Sequence, residues 1–327
     1  MKYRRKLACL VLTGAMFLLS ACGALSATNT LGGGSTGGLI PITAGVAASQ
    51  SSTAILVGQQ HGFFAQNGID LTIGRAATGA GAITQVINGQ QQVALGGISP
   101  VVIAAASHIP VQIVSGAVAD RPAAAGAQYQ TMVANGSPIR SFKDLAGKTV
   151  AVNSLKCCWE FWIREAIEKD GGDASSVHLV QLTFPDQITA LEQGRVDAIS
   201  TAQPYATALR KKGYRDIGDS PAVAFADPDA DNTVFFMAKS FIDQYPGIVE
   251  RWRKAVRESS EYANAHPDET RKAIVKQTKA DPALVAQAPL PLYTADVSRR
   301  VIEKEAAFTV KYGVVSAAPA YGTYVVP

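Results

Sequence analysis

Short apolar runs alternate with helix-like stretches along most of this 327-residue chain, and that alternation confines it to the α/β class. Strands are expected at 39–46, 69–73, 92–95, 111–115, 131–134, 149–152, 178–182, 198–201 and 233–237. Helices are expected at 52–66, 83–88, 100–107, 158–169, 188–193 and 205–212, and over much of 248–312. The C-terminal third is mostly helical. Strand–helix–strand order favours sheets that are mixed but mostly parallel. Breaks fall in two places: the turn Gly136-Ser137-Pro138, and the segment from Ser220-Pro221 to Asp231. Two crossings divide the body into lobe I, residues 39–132 and 222–327, and an inserted lobe II, residues 133–221. Two lobes joined in this way form a hinged clamshell.

The first residues belong to a different regime. Lys2, Arg4, Arg5 and Lys6 precede a 13-residue, mostly apolar run at 7–19, which closes on Leu19-Ser20-Ala21-Cys22. Thirteen residues are too few to span a bilayer as a helix, but they suit the core of an export signal. The ending resembles a bacterial lipobox. The resemblance implies removal of residues 1–21, a diacylglycerol on the Cys22 thiol, and a protein anchored by lipid on the extracytoplasmic face of the cell membrane. An ordinary secretory signal containing a cysteine is the alternative. Residues 22–38 are rich in Gly, Ser and Thr, including Gly32-Gly33-Gly34, and are expected to be a flexible tether.

This leader distorts the charge count. Thirty basic residues, less the four in the first 21, leave 26 against 26 acidic ones. The balanced mature chain gives no electrostatic reason to expect nucleic acid or an anionic surface as partner. Once Cys9 and Cys22 are set aside, Cys157 and Cys158 remain. Adjacent cysteines fit none of the common zinc spacings, so neither a metal nor another cofactor is expected. A vicinal disulfide and two buried thiols, or one free thiol, stay open. His61, His108, His178 and His266 are scattered, and no Ser-His-Asp order, phosphate loop or carboxylate pair stands out. No catalysis is read from the residues.

Several segments together resemble the solute-binding proteins of ABC importers, in the branch for nitrate, alkanesulfonates, taurine and thiamine pyrimidine precursors. They are His61-Gly62-Phe63-Phe64, Asn67-Gly68-Ile69-Asp70-Leu71, Ile87-Asn88-Gly89-Gln90, Gly96-Gly97-Ile98-Ser99-Pro100, Ser141 through Val152, and Ala190-Leu191-Glu192-Gln193-Gly194-Arg195-Val196-Asp197-Ala198. Their order and spacing match from about 49 to 203. The resemblance implies a type II periplasmic-binding-protein clamshell, a small-molecule ligand such as a sulfonate, aromatic carboxylate or pyrimidine, and a membrane permease with its ATPase as partners. A monomer is expected. A sensory or adaptor lipoprotein and a pyrimidine-synthase-like enzyme are the alternatives on the same fold. The cysteine cluster of the related fungal pyrimidine synthases is not matched here.

The motifs are scaffold; loops should read the ligand. In parallel sheets, ligands sit beyond the carboxyl ends of strands, where helix N-termini offer free N–H groups. This selects Ser49, Gln50, Ser51 and Ser52 after the first strand, Thr78 and Gly79 after the second, and Ile98 and Ser99 after the third. In lobe II it selects Asn153, Ser154, Cys157, Cys158 and Trp159, with Gln203 and Pro204 as a fifth wall. Lys156 could meet an anionic head or lie in solvent. On a helix from Cys158, the side chains of Trp159, Trp162, Ile163, Ala166 and Ile167 share a core stripe. Phe161 lies opposite and is expected at the pocket wall, while Glu160–Arg164 and Glu165–Lys169 are expected as solvated pairs.

Overall fold

The computed structural model describes residues 38–76, 80–119, 127–227 and 231–327. The leader, Cys22 and nearly all of the tether lie outside the described residues, as do Thr78 and Gly79. The strands are β1 (Ile40–Val46), β2 (Ile69–Arg75), β3 (Val93–Gly97), β4 (Val111–Ala119), β5 (Tyr129–Val133), β6 (Thr149–Val152), β7 (His178–Gln181), β8 (Ala198–Ala202), β9 (Arg215–Gly218), β10 (Asp231–Ala238) and β11 (Leu292–Tyr293). The helices are α1 (Thr53–Gln60), α2 (Phe63–Gln66), α3 (Ala80–Ile87), α4 (Ile98–Ala106), α5 (Cys158–Lys169), α6 (Phe184–Glu192) and α7 (Tyr205–Lys211). They continue with α8 (Ser220–Phe225), α9 (Lys239–Gln244), α10 (Ile248–Ala265), α11 (Pro267–Thr278), α12 (Pro282–Gln287), α13 (Arg299–Lys311) and α14 (Tyr321–Tyr324).

Two sheets form, in the orders β11-β4-β10-β3-β1-β2 and β7-β6-β8-β5-β9. Every expected strand is present. The sheets are mixed, but five strand pairings among the described residues are antiparallel against four parallel, so "mostly parallel" needs correction. Each antiparallel pairing involves β5, β10 or β11. The strands β5 and β10 begin where the chain passes from one sheet to the other, and they run against the strand–helix–strand units that they join. The expected helix at 52–66 is divided, because Gly62 adopts a left-handed φ of 74° between α1 and α2.

Packing follows from the apolar faces. In α10, Ile248, Val249, Trp252, Ala255, Val256 and Ala263 are buried on one helical stripe. Trp252 meets Phe64 at 5.3 Å and Phe235 at 5.2 Å between ring centroids, closing the core on one face of the first sheet. Gly58 of α1 lies so close to α10 that a Cβ there would fall 1.8 Å from the Ser259 hydroxyl oxygen. On the second sheet, Met132 and Ile199 pack against Leu191 of α6 and Leu209 of α7 in one cluster. Gly147 and Gly194, at φ 70° and 65°, turn the chain into the next strand of their scaffold motifs. Ahead of Gly147, the Arg140 and Ser141 backbone N–H groups hold the Asp144 carboxylate below the usual range. Among the described residues, no helix is long and apolar enough to cross a membrane.

The stripe on α5 is buried as expected, but its other face corrects the sequence reading. Phe161 is fully buried and stacks on Tyr312 at 5.5 Å and 11°, so it is core and not pocket wall. Glu165 does not pair with Lys169. It is buried and accepts hydrogen bonds from Lys311 Nζ and the Tyr312 hydroxyl. Lys169 donates instead to the carbonyls of Val223 and Ala224, at 2.9 and 2.7 Å. The causes are α13 and the residue after it, which return from far along the sequence to take Glu165, and α8, whose carbonyls take Lys169. Glu160–Arg164 does form, at 2.9 Å.

Candidate functional site

Loops from both sheets meet around one cavity of about 160 Å³. The carboxyl end of β1 supplies Ala47, Ser49 and Ser51. That of β3 supplies Leu95, Gly96 and Gly97, followed by Pro100 in the first turn of α4. From the second sheet come Asn153 and Ser154 after β6, Cys157, Cys158 and Trp159 at the start of α5, Phe184 after β7, and Ala202 of β8. The antiparallel crossing strands present their amino ends at the same level. Tyr129 pairs with Ala202, Thr233 pairs with Gly97, and both line the cavity. A smaller space of about 30 Å³ continues from it past Gln50, Gln203, Pro204, Tyr205 and Thr278.

Among the described residues, the lining of both spaces contains hydroxyls, amides, thiols and aromatic rings, and no charged side chain. One wall is an aromatic chain: Trp159 meets Tyr129 edge-on at 5.2 Å and Phe184 at 5.5 Å, and Phe184 meets Tyr205 at 5.5 Å. Both α4 and α5 begin at this lining, with Gly97 and Cys157 as their N-caps. Their first N–H groups give the neutral pocket partial positive charge suited to an anionic head group. Gln50 is buried, and its amide nitrogen and oxygen have no protein partner among the described residues. A buried amide left in that state costs about 1–3 kcal/mol per polar group, a cost that a bound molecule or water would relieve.

Cys157 and Cys158 are two buried thiols with sulfurs 3.4 Å apart. The hydrogen bond with Cys157, and then burial, push the Cys158 thiol well above its ordinary range. A Cβ on Gly97 would stand 3.0 Å from the Cys158 sulfur, so the turn from β3 into α4 and the start of α5 touch because position 97 is glycine.

The structure brings together Ser49, Gln50, Ser51, Asn153, Ser154, Cys157, Cys158, Trp159, Gln203 and Pro204. It does not bring Ser52, Ile98 or Ser99 into the lining. Ser52 is fully buried, and its hydroxyl donates to the carbonyl of Ala47 at 3.0 Å, holding the loop. Ile98 is core. Ser99 is fully buried and donates its hydroxyl to Glu305 of α13, which also accepts the Trp162 indole N–H at 3.2 Å. Pro100, one position further along the turn, faces the cavity in their place. Tyr129, Phe184, Ala202 and Thr233 are additional lining residues. The loop rule, applied to the strand at 178–182, would have found Phe184. The same rule applied to the strand at 198–201 would have found Ala202, whereas Tyr129 and Thr233 come from β5 and β10, and no sequence signal assigns them.

A family model described as NMT1/THI5 like matches residues 49–270. The chain is 25% identical over 225 residues to the taurine-binding periplasmic protein of Escherichia coli, covering 68% of this chain and 67% of that one. It is 23% identical over 218 residues to the formylaminopyrimidine-binding protein of Halalkalibacterium halodurans, covering 66% and 64%. Among solved structures, it superposes on the alkanesulfonate-binding protein SsuA of Xanthomonas axonopodis pv. citri bound to MOPS. The TM-score is 0.69 at 17% identity, over 87% of this chain and 96% of that one. The same fold also carries catalysis: a desulfurization enzyme superposes with a TM-score of 0.59 at 17% identity, over 88% and 96%.

Proposed function

This chain belongs to the NMT1/THI5-like family and has the type II periplasmic-binding-protein fold, and from that premise we propose that it is the extracytoplasmic receptor of an ABC importer. It captures a small organic molecule, a sulfonate, aromatic carboxylate or pyrimidine-like compound, and delivers it to a permease driven by an ATPase. The first sheet, with β1–β4, β10 and β11, and the second, with β5–β9, act as the two lobes closing around the ligand, so the expected boundary at 132/133 moves ahead of β5 and that at 221/222 moves out of α8. The lipid on Cys22 keeps the monomer at the membrane. The observation that carries this reading is the uncharged cavity built from loops of both sheets, with the unpartnered Gln50 amide on one side and the Trp159–Phe184 wall on the other. Aromatic rings suit a planar or apolar ligand body, and the two helix N-termini suit its polar end.

Binding, and not catalysis, is the reading that buried Cys158 favours. A nucleophilic cysteine needs a lowered thiol pKa, and Cys158 is pushed the other way. A sensory role on the same fold differs only in the membrane partner. Native mass spectrometry of the purified protein, followed by a thermal-shift screen of sulfonates, aromatic carboxylates and pyrimidines, tests the proposal. A true ligand at a hundred times its dissociation constant should stabilise the fold by about 2.7 kcal/mol. Trp159→Ala should remove most of that shift. A ligand that binds this variant unchanged overturns the site assignment. Fatty-acid labelling of Cys22→Ala tests the anchor, and undiminished labelling would refute it.

A further inference from the structure

The binding reading gives the adjacent cysteines a place in the wall and no task. Their sulfurs stand 3.4 Å apart as free thiols. A disulfide bond holds two sulfurs at about 2.05 Å, so closure needs a relative movement of little more than about 1 Å. Neither side chain is sealed from small molecules. Both line the cavity, and Cys157 also lines an adjoining hollow of about 410 Å³. Ile109 and Leu155 of that hollow are each 37% exposed, so it opens to solvent. Lys156 and Gln181 share the lining, so the Cys157 sulfur is approached past apolar, amide and cationic groups. The charged groups beside the pair are Lys156, Glu160, whose carboxylate takes the Lys156 backbone N–H at 2.8 Å, and Glu305, close enough to act on Cys158. The pair is also a joint between the two sheets. Cys157 caps α5, and its carbonyl accepts the Glu160 and Phe161 N–H groups at 3.0 and 3.2 Å. The Cys158 sulfur lies against the turn from β3 into α4, where a Cβ on Gly97 would stand 3.0 Å from it.

We infer that Cys157 and Cys158 form a site of reversible oxidation, at which a low-molecular-weight disulfide closes them into a vicinal disulfide and loosens the contact between α5 and the Gly97 turn. The Cys157 thiolate attacks one sulfur of the reagent R–S–S–R, and the departing R–S⁻ takes up the thiol proton as R–SH. The Cys158 thiol then gives up its proton and attacks the Cys157 sulfur, which expels the second R–S⁻ as R–SH. Two protein thiols are oxidised to one disulfide, and one reagent disulfide is reduced to two thiols. Access puts Cys157 first, since of the two it is the one that lines the hollow. Neighbouring Cα atoms lie about 3.8 Å apart across a trans peptide, below the usual span of about 4.4–6.8 Å for a disulfide, so the closed pair is strained and readily reduced. Strain of that kind suits a switch and not a permanent cross-link. Drawing the Cys158 sulfur toward Cys157 takes it away from Gly97 and moves the first turn of α5, Trp159 included. The oxidation stands apart from the cleft reading above; its effect on a ligand rests on that reading.

The purified protein, equilibrated with mixtures of glutathione disulfide and glutathione, then acid-quenched, alkylated and digested with trypsin, tests this. Cleavage after Lys156 and Arg164 leaves both thiols in one peptide, 157–164, apart from Cys9 and Cys22. That peptide should lose two hydrogens and take no alkyl group. A roughly tenfold fall in glutathione at constant glutathione disulfide should raise the ratio of closed to open protein about a hundredfold, whereas a stalled mixed disulfide would give about tenfold. Dithiothreitol should restore both thiols. Cys158→Ala should stop at one glutathione on Cys157, and Cys157→Ala should leave Cys158 unmodified. In the oxidised protein, amide hydrogen exchange should quicken at 97–101 and 158–161 while circular dichroism keeps the native signal. Thiols that survive glutathione disulfide alone, or that close only in urea, overturn the inference. Closure without faster exchange at 97–101 overturns the link to the Gly97 turn. Closure with that change upholds the inference even where every sulfonate, aromatic carboxylate and pyrimidine fails to bind, an outcome that counts only against the cleft reading.

Discussion

Glu305 shows how one residue can organise the ground behind the site. It is buried between α4, α5 and α13 and holds the Ser99 hydroxyl and the Trp162 indole. Burial pushes its carboxyl up to about 7 from 4.5, against the opposing pull of those two hydrogen bonds. The folded protein therefore keeps a proton that the unfolded chain releases above its own pKa. The stabilisation is full below about 4.5 and is lost as pH rises through about 7. A neutral amide can accept from Trp162 and donate to Ser99, so Glu305→Gln should fold and should flatten the melting-temperature profile across that window. An unchanged slope in the variant would show that another group sets it. Glu305→Ala should cost about 1–3 kcal/mol for each partner left buried and unpaired, read by urea unfolding. Gln50 predicts the opposite split. Gln50→Leu should leave melting unchanged or higher while weakening ligand binding tenfold or more by titration, because the amide has no protein partner to lose among the described residues. Sequence reasoning reached Gln50 through its loop, but it misjudged Ser99. The helix start was legible, whereas the direction of the hydroxyl depends on a carboxylate 206 residues away.

At the scale of elements, local pattern was informative wherever a strand or helix buries its own apolar face. The β-strands at 40–46 and 149–152 and the helix at 158–169 fall where the residues place them. Two strands were not legible. Arg215–Gly218 is half-exposed and Leu292–Tyr293 is two residues long, so neither carries an apolar run, and each exists through pairing with a longer neighbour. Contacts between elements leave still less trace. Gly58 reads as an unremarkable helix glycine, yet it sets how closely α1 and α10 approach. Gly58→Ala should push the helices apart and cost about 1–3 kcal/mol. Adding Ser259→Gly should recover much of that loss, because the obstructing atoms are the Ser259 hydroxyl and Cβ. Thermal unfolding of the single and double variants measures the coupling, and simple additivity would argue against a direct clash.

For the whole molecule, the two sheets and the two chain crossings fit a hinged receptor. A ligand gripped from both sides should reduce the radius of gyration in small-angle scattering. A tight ligand that leaves the radius unchanged would mean that the free protein is already closed or that the lobes do not move. The helix α13 conditions that motion. It meets α4 through Glu305 and Ser99, and α5 through Lys311, Tyr312, Glu165 and Glu168. In the proposed opening motion, α13 slides along one of these neighbours, so Glu305→Ala should enlarge the ligand-free radius. The same bridge has a consequence for the order in which the protein takes shape. Synthesis runs from the amino end, and Trp162 waits 143 residues for the carboxylate that satisfies its indole. The helix that begins at the vicinal thiols therefore cannot reach its final packing until nearly all of the chain exists. Long-range closure of this kind slows folding. Until the end of α13 arrives, Phe161 lacks the Tyr312 ring that stacks on it, and a nascent or truncated chain leaves that ring position on α5 open to other apolar groups.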